Sequence, residues 1–207
     1  MAQSLWPVMT NRICPKAASH VTVALCFYFL LGVNVLMADQ EEQVREKTAP
    51  RYGLGLNFGL GYNPSDARNF MSVTGVALYD YEDIWPHRAP EQLRFKLEGS
   101  LGGTSRSDSD FMASAGFLAL YYLDSLSSSF FRPYIEGGAG LIFTEYKVKG
   151  QGSRLNFNPQ VGLGMEITPA SGFSLWMSMR LHHLSNAGIN KDNRGVNSMV
   201  FQMGKYF

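Results

Sequence analysis

From residue 51 onward the chain alternates. Tyr52, Leu54, Leu56, Phe58, Leu60 and Tyr62 fall on one face of an extended segment, with Gly53, Gly55, Asn57, Gly59 and Gly61 on the other. A period of two predicts a β-strand, but large apolar side chains backed by glycine invert what a soluble sandwich strand needs. The pattern suits a strand whose outer face meets lipid and whose inner face is crowded inside a small barrel. Residues 93–101 repeat it, with Leu93, Phe95, Leu97 and Leu101 against Gln92, Arg94, Lys96, Glu98 and Ser100. Residues 155–166 alternate most plainly, setting Leu155, Phe157, Val161, Leu163 and Met165 against Asn156, Asn158, Gln160 and Glu166.

Further strands are predicted over residues 70–81, 111–122, 131–143, 173–185 and 196–207. The pattern of 70–81 is too poor to fix its facing. In 111–122 the outward set is Phe111, Phe117 and Tyr121, and Glu136 points inward in the next strand. Phe173, Leu175, Met177, Met179 and Leu181 form one set that continues into His183 and Ser185; Met199, Phe201, Met203 and Phe207 share a face with Asn197. Eight segments of roughly ten to thirteen residues, each long enough to cross a bilayer at a tilt, predict an eight-stranded antiparallel transmembrane β-barrel. A soluble barrel or sandwich would place the same apolar set inside. Small residues recurring on the polar face, and an aromatic final residue, Phe207, favour the membrane. An even strand number puts both barrel ends on the periplasmic side, so the connections after the first, third, fifth and seventh strands face outward. The short turn at 168–172 and the longer polar stretches at 144–153 and 186–195 agree with that orientation.

Ahead of the barrel, residues 1–38 read as a cleaved signal peptide: Arg12 and Lys16 precede an apolar run over 21–35, and Leu36-Met37-Ala38 offers a small residue before Asp39. A membrane anchor fits less well, because Gly32 and Asn34 interrupt the run and Asp39, Glu41 and Glu42 follow it. Residues 39–50 read as a periplasmic lead-in and 51–207 as the barrel. Both cysteines, Cys14 and Cys26, lie in the signal segment, so the mature chain has no thiol chemistry. Cleavage changes the formal charge from +1 to −1, which gives no electrostatic case for nucleic acid. Among His, Cys and carboxylates no cluster has the spacing of a metal site, and nothing calls for a cofactor.

Groups able to do chemistry are concentrated in residues 180–197. His183 and Ser185 are two apart, so on a strand they leave the same face, close enough for an imidazole to take a hydroxyl proton. His182 faces the other way, as a lumenal packing or hydrogen-bonding residue, and His87 reads as a turn residue beside an interfacial Trp85. Arg180, Lys191 and Arg194 are candidates for phosphate contact, or else rim and lumenal charges. Arg94, Lys96, Glu98, Glu136, Arg154 and Glu166 read as lumenal charges that pair with one another.

The run His183-Leu184-Ser185-Asn186-Ala187-Gly188-Ile189, followed by Asn193-Arg194-Gly195-Val196-Asn197, closely resembles the lipid A 3-O-deacylase family of outer-membrane barrels. The specific match covers roughly the last thirty residues, and compatible strand patterning extends over most of the mature chain. The resemblance implies an eight-stranded barrel in the bacterial outer membrane. Its activity would be removal of the 3-hydroxyacyl chain ester-linked at position 3 of lipid A in lipopolysaccharide, from a site on the outer wall at the outer leaflet. Ser185 would then be the nucleophile and His183 its general base. The Asn186 side chain and the backbone of Asn186 to Gly188 would hold the oxyanion, and Asn193 falls on a motif position. One position departs: the family's best-known members carry a Glu where this chain has Asn197. Asn197 is therefore expected to orient the imidazole in its place, as the amide does in Cys-His-Asn enzymes; Asp192 is the nearest loop carboxylate. The rival readings are a non-catalytic structural or adhesion barrel and an esterase acting on another lipid.

Overall fold

Strands form where the alternation predicts them. The computed structural model describes residues 49–104, 110–169 and 172–207; the predicted signal segment and most of the lead-in lie outside the described residues. The order is β1 (Arg51–Asn63), β2 (Phe70–Asp80), β3 (Leu93–Thr104), β4 (Phe111–Tyr122), β5 (Phe131–Thr144), β6 (Leu155–Phe157), β7 (Gln160–Ile167), β8 (Ser174–Leu184) and β9 (Val196–Tyr206). Neighbours pair antiparallel throughout, and β1 against β9 closes the cylinder. A one-turn helix, α1 (Tyr81–Ile84), sits in the β2–β3 connection. Among the described residues no helix is long and apolar enough to cross a membrane.

Nine strands make eight staves, because the sixth predicted strand is broken in two. Pro159 has no N–H to give to either neighbour in a closed barrel, where every strand is paired on both sides. The chain therefore leaves regular pairing over 158–159 and resumes it as β7.

The predicted facing holds, inverted relative to a soluble barrel. Leu101 and Val161 on the outer wall are 62% and 60% exposed, whereas Lys96 and Arg180 inside are 1% and 3% exposed. Burial alternates along β2 as well, with Phe70, Val76 and Leu78 inward and Met71 and Val73 outward, which settles the strand whose facing the sequence leaves open.

The lumen is filled in three layers. An apolar cluster at one end contains Phe70, Met112, Ile142, Leu184, Val196 and Val200. At the other end lie Val76, Leu78, Leu120, Tyr122, Tyr134 and Trp176. The Trp176 ring occupies the space where a Cβ on Gly204 would stand, which accounts for glycine on this part of the inner wall.

Between the clusters two cations meet two carboxylates. Lys96 pairs with Glu136, and Arg180 reaches Glu136 through Nε at 2.6 Å and pairs with Glu98 through its outer nitrogens. Gln202 completes the layer, accepting from Arg180 Nη2 at 2.8 Å and donating to Asn57 Oδ1 at 2.9 Å. Charges cost least in such a place when each is matched and hydrogen-bonded. Arg94 and Glu166 find partners outside the predicted set, Arg94 with Asp80 at 3.0 Å and Glu166 with Arg51 at 3.0 Å. Arg154 departs from expectation, since it lies exposed in the β5–β6 connection.

Candidate functional site

His183, near the end of β8, stands opposite Asn197, near the start of β9. Both follow the outward set that includes Leu181 and Met199. The imidazole Nδ1 donates to Asn197 Oδ1 at 2.7 Å. An amide oxygen only accepts, so this contact puts the ring proton on Nδ1 and leaves Nε2 as the nitrogen able to take another. Ser185 lies just beyond β8 and is held to Phe157 by two backbone bonds, N–H to O at 3.1 Å and the reverse at 2.8 Å. Among the described residues no hydrogen bond joins the Ser185 hydroxyl to the His183 ring. Catalytic hydrogen bonds are often long or poorly aligned in unliganded enzymes and tighten once substrate is bound.

The loop after Ser185 is built on one side chain. Asn186 Oδ1 accepts from Gly188 N–H at 3.0 Å and from Asn190 N–H at 3.3 Å, while Asn186 Nδ2 donates to the Asp192 carbonyl at 2.9 Å. Asn193 Oδ1 in turn takes the Asn186 N–H at 2.8 Å. Asn186, Gly188 and Asn193 are thus brought together, but the donors considered for an oxyanion at Asn186 and Gly188 already serve protein acceptors. Ala187, between them, has φ +54°, a left-handed conformation that non-glycine residues adopt sparingly. Asp192 contributes to this turn through its backbone.

The β5–β6 connection lies across this turn as a strap. Gly152 N–H donates to the Asp192 carbonyl at 2.7 Å, Arg194 N–H to the Gly150 carbonyl at 2.9 Å, and Gln151 bridges Asn193. The strap is anchored in turn to the β1–β2 connection, where the Asp66 carboxylate accepts the Lys149 N–H at 2.8 Å. That bond holds the Asp66 acid below the usual carboxylate range. Beside Ser185 the wall carries a groove of about 310 Å³ lined by Leu141, Leu155, Phe157 and Ile189, with Asn186 at its edge.

Of the cations singled out in the sequence, Arg180 is committed to the lumen and is out of reach of any phosphate at the surface. Lys191 and Arg194 are exposed. His182 points inward and donates through Nε2 to Gln160 Oε1 at 2.7 Å, and His87 bonds the Tyr81 hydroxyl at 3.1 Å. No group of three or more His, Cys, Asp or Glu among the described residues is placed to hold a metal ion.

The fold and this site define a class: a small outer-membrane β-barrel with a histidine and an amide joined near the loop end of its wall and a serine two residues beyond the histidine. The comparisons with known proteins narrow it. The sequence profile of the family described as "Lipid A 3-O-deacylase (PagL)" matches residues 28–206, and the chain belongs to that family. Among solved structures the chain is similar to the outer membrane enzyme PagL, with a TM-score of 0.54 and 21% identity over 73% of this chain and 97% of that one. It is also similar to Neisserial surface protein A, NspA, with a TM-score of 0.59 and 15% identity over 78% of this chain and 98% of that one. At such identities the two structures speak for the barrel alone. No curated protein sequence matches the chain.

Proposed function

We propose that this protein is a serine esterase of the bacterial outer membrane that removes the 3-O-linked 3-hydroxyacyl chain of lipid A. The site would lie on the lipid-facing wall, level with the outer leaflet. The observation that carries the reading is the 2.7 Å bond from His183 Nδ1 to Asn197 Oδ1, which fixes the ring proton on the side away from the nitrogen that must act. Family membership supplies the substrate class. An imidazole, a hydroxyl and an amide on an otherwise apolar wall are also costly at membrane depth, and such groups tend to be functional.

In this reading the Ser185 oxygen attacks the ester carbonyl carbon while its proton passes to His183 Nε2. Collapse of the tetrahedral intermediate returns that proton to the sugar 3-oxygen, which leaves as a free hydroxyl, and the acyl group stays on Ser185. Water then attacks the acyl-enzyme through the same ring, releasing the 3-hydroxy fatty acid and restoring the serine. The apolar groove beside Ser185 suits an acyl chain, because burying methylene groups against Leu155, Phe157 and Ile189 is favourable by about 0.8 kcal/mol each. Asn197 holds the ring but, being neutral, does not stabilise the imidazolium as a carboxylate would.

The deciding experiment is mass spectrometry of lipid A from a Gram-negative host expressing the chain. Loss of one 3-hydroxyacyl mass, located at position 3 by fragmentation, is the expected result. Unchanged lipid A with a correctly inserted barrel would overturn the reading in favour of another lipid or a non-catalytic barrel. The role given to Asn197 makes its own prediction. Asn197→Ala lowers kcat by about 10²-fold, the scale of a misplaced catalytic group, with KM nearly unchanged. Asn197→Glu raises kcat above wild type. Steady-state kinetics on purified lipid A checks both.

A further inference from the structure

We infer that Gly195 is a positioning residue: the missing side chain at this position is the seat on which the His183 imidazole rests. The inference builds on the esterase reading above. A Cβ added at Gly195 would stand 2.5 Å from His183 Cε1, 3.2 Å from Nε2 and 3.5 Å from Nδ1, with no other atom that close. Real Cβ atoms do not approach a ring carbon to that distance, so the ring would have to move. The backbone gives no competing reason for glycine, since Gly195, unlike Gly150, Gly172 and Gly188, does not have a positive φ. Space for one imidazole is what the position provides.

The pairing of β8 with β9 makes this geometry. His183 faces Asn197 and Leu184 faces Val196, so one step further along the same register Gly195 comes level with Ser185. The imidazole leans diagonally along the outer wall from its own strand toward the Ser185 level, and Gly195 lies beneath that path. Two contacts then fix the ring: Asn197 Oδ1 holds Nδ1 at one edge, and Gly195 admits Cε1 and Nε2 at the other. With a methyl group at 195 the ring would have to tilt off the wall, carrying Nε2 away from the serine or breaking the Asn197 bond. Because Nε2 is the nitrogen that must take the serine proton, the cost falls on the chemical step. Substrate contacts in the groove are made by other residues and stay as they are.

The test is Gly195→Ala in the full chain, refolded as a barrel and assayed on purified lipid A beside wild type, Ser185→Ala and the control Gly99→Ala. The control suits because a Cβ at Gly99 meets nothing within 4 Å. Expected is a fall in kcat of about 10²-fold with KM changed less than about twofold, and an equal slowing of Ser185 labelling by a fluorophosphonate, while Gly99→Ala behaves as wild type. In a His183→Ala background the substitution at 195 should change nothing, since no ring remains to displace. A Gly195→Ala barrel with wild-type kcat would overturn the inference, and so would a loss of the same size in the His183→Ala background. Should wild type itself fail to deacylate lipid A in a serine-dependent way, the esterase reading falls first, and fluorophosphonate labelling then decides the role of Gly195 by itself.

Discussion

Ser185→Ala reduces lipid A deacylation by about 10⁴-fold or more while leaving the barrel folded, which is the scale on which serine hydrolases lose activity when the nucleophile is removed. Among the described residues the Ser185 hydroxyl makes no hydrogen bond, and the backbone bonds that place residue 185 against Phe157 do not depend on its side chain. The substitution should therefore separate chemistry from folding cleanly. His183→Ala should cost nearly as much, and the double variant little more than either, because in the proposed mechanism the two groups act in one proton transfer. Rates on purified lipid A in detergent, with heat-modifiable mobility as the check on folding, measure this. Activity within tenfold of wild type for Ser185→Ala would sink the assignment of the nucleophile.

The second large effect is on stability and lies in the lumen. Glu136 stands between Lys96 and Arg180, all three almost wholly buried. Glu136→Leu removes the carboxylate and leaves two cations facing each other with Glu98 alone to answer them. Breaking a buried pair in this way costs about 3–5 kcal/mol, because the desolvation already suffered by the remaining charge is no longer offset. Asp124→Asn, which breaks the part-exposed pair with Arg132 at 2.6 Å, should cost under about 1 kcal/mol. Equilibrium urea unfolding from lipid vesicles distinguishes the two. If both variants unfolded at the wild-type midpoint, the ionic layer would have no part in holding the barrel closed.

Much of this architecture is legible in the sequence because an outward wall of Leu, Val and Phe against an inward wall of Gly, Asn and charge needs only a period of two. The reading loses its grip where both faces turn apolar. In β2, Phe70, Val76 and Leu78 plug the lumen ends while Met71 and Val73 face outward, so the alternation that would reveal the facing disappears. Pro159 is a visible signal for the break between β6 and β7, since proline has no N–H to give to the ladder, yet the strong alternation of its neighbours masks it.

At the site, His183 and Asn197 share a face by counting along their own strands, and the structure joins them directly. What counting cannot supply is cross-strand register. The seat at Gly195 depends on which residue of β9 comes level with the tip of β8, and the binding of Asn186 to Gly188, Asn190 and Asp192 depends on how the loop folds back on itself. The fate of Arg180 is hidden for the same reason. Its partners Glu98 and Glu136 lie on strands distant in sequence, and only closure of the cylinder brings them to it.

Two of the ties that hold the strap across the turn after Ser185 run from main chain to main chain: Gly152 N–H to Asp192, and Arg194 N–H to Gly150. Such bonds are indifferent to the side chains on either strand, provided glycine is kept at Gly150, where φ is +85°, and at Gly152, where a Cβ would meet Asn190. Lys147 and Lys149, whose side chains take no part in these two bonds, can therefore drift in evolution without loosening them. In the outward orientation that the strand count predicts, the face met by antibodies and phage could change its appearance while the fastening beneath it stayed the same.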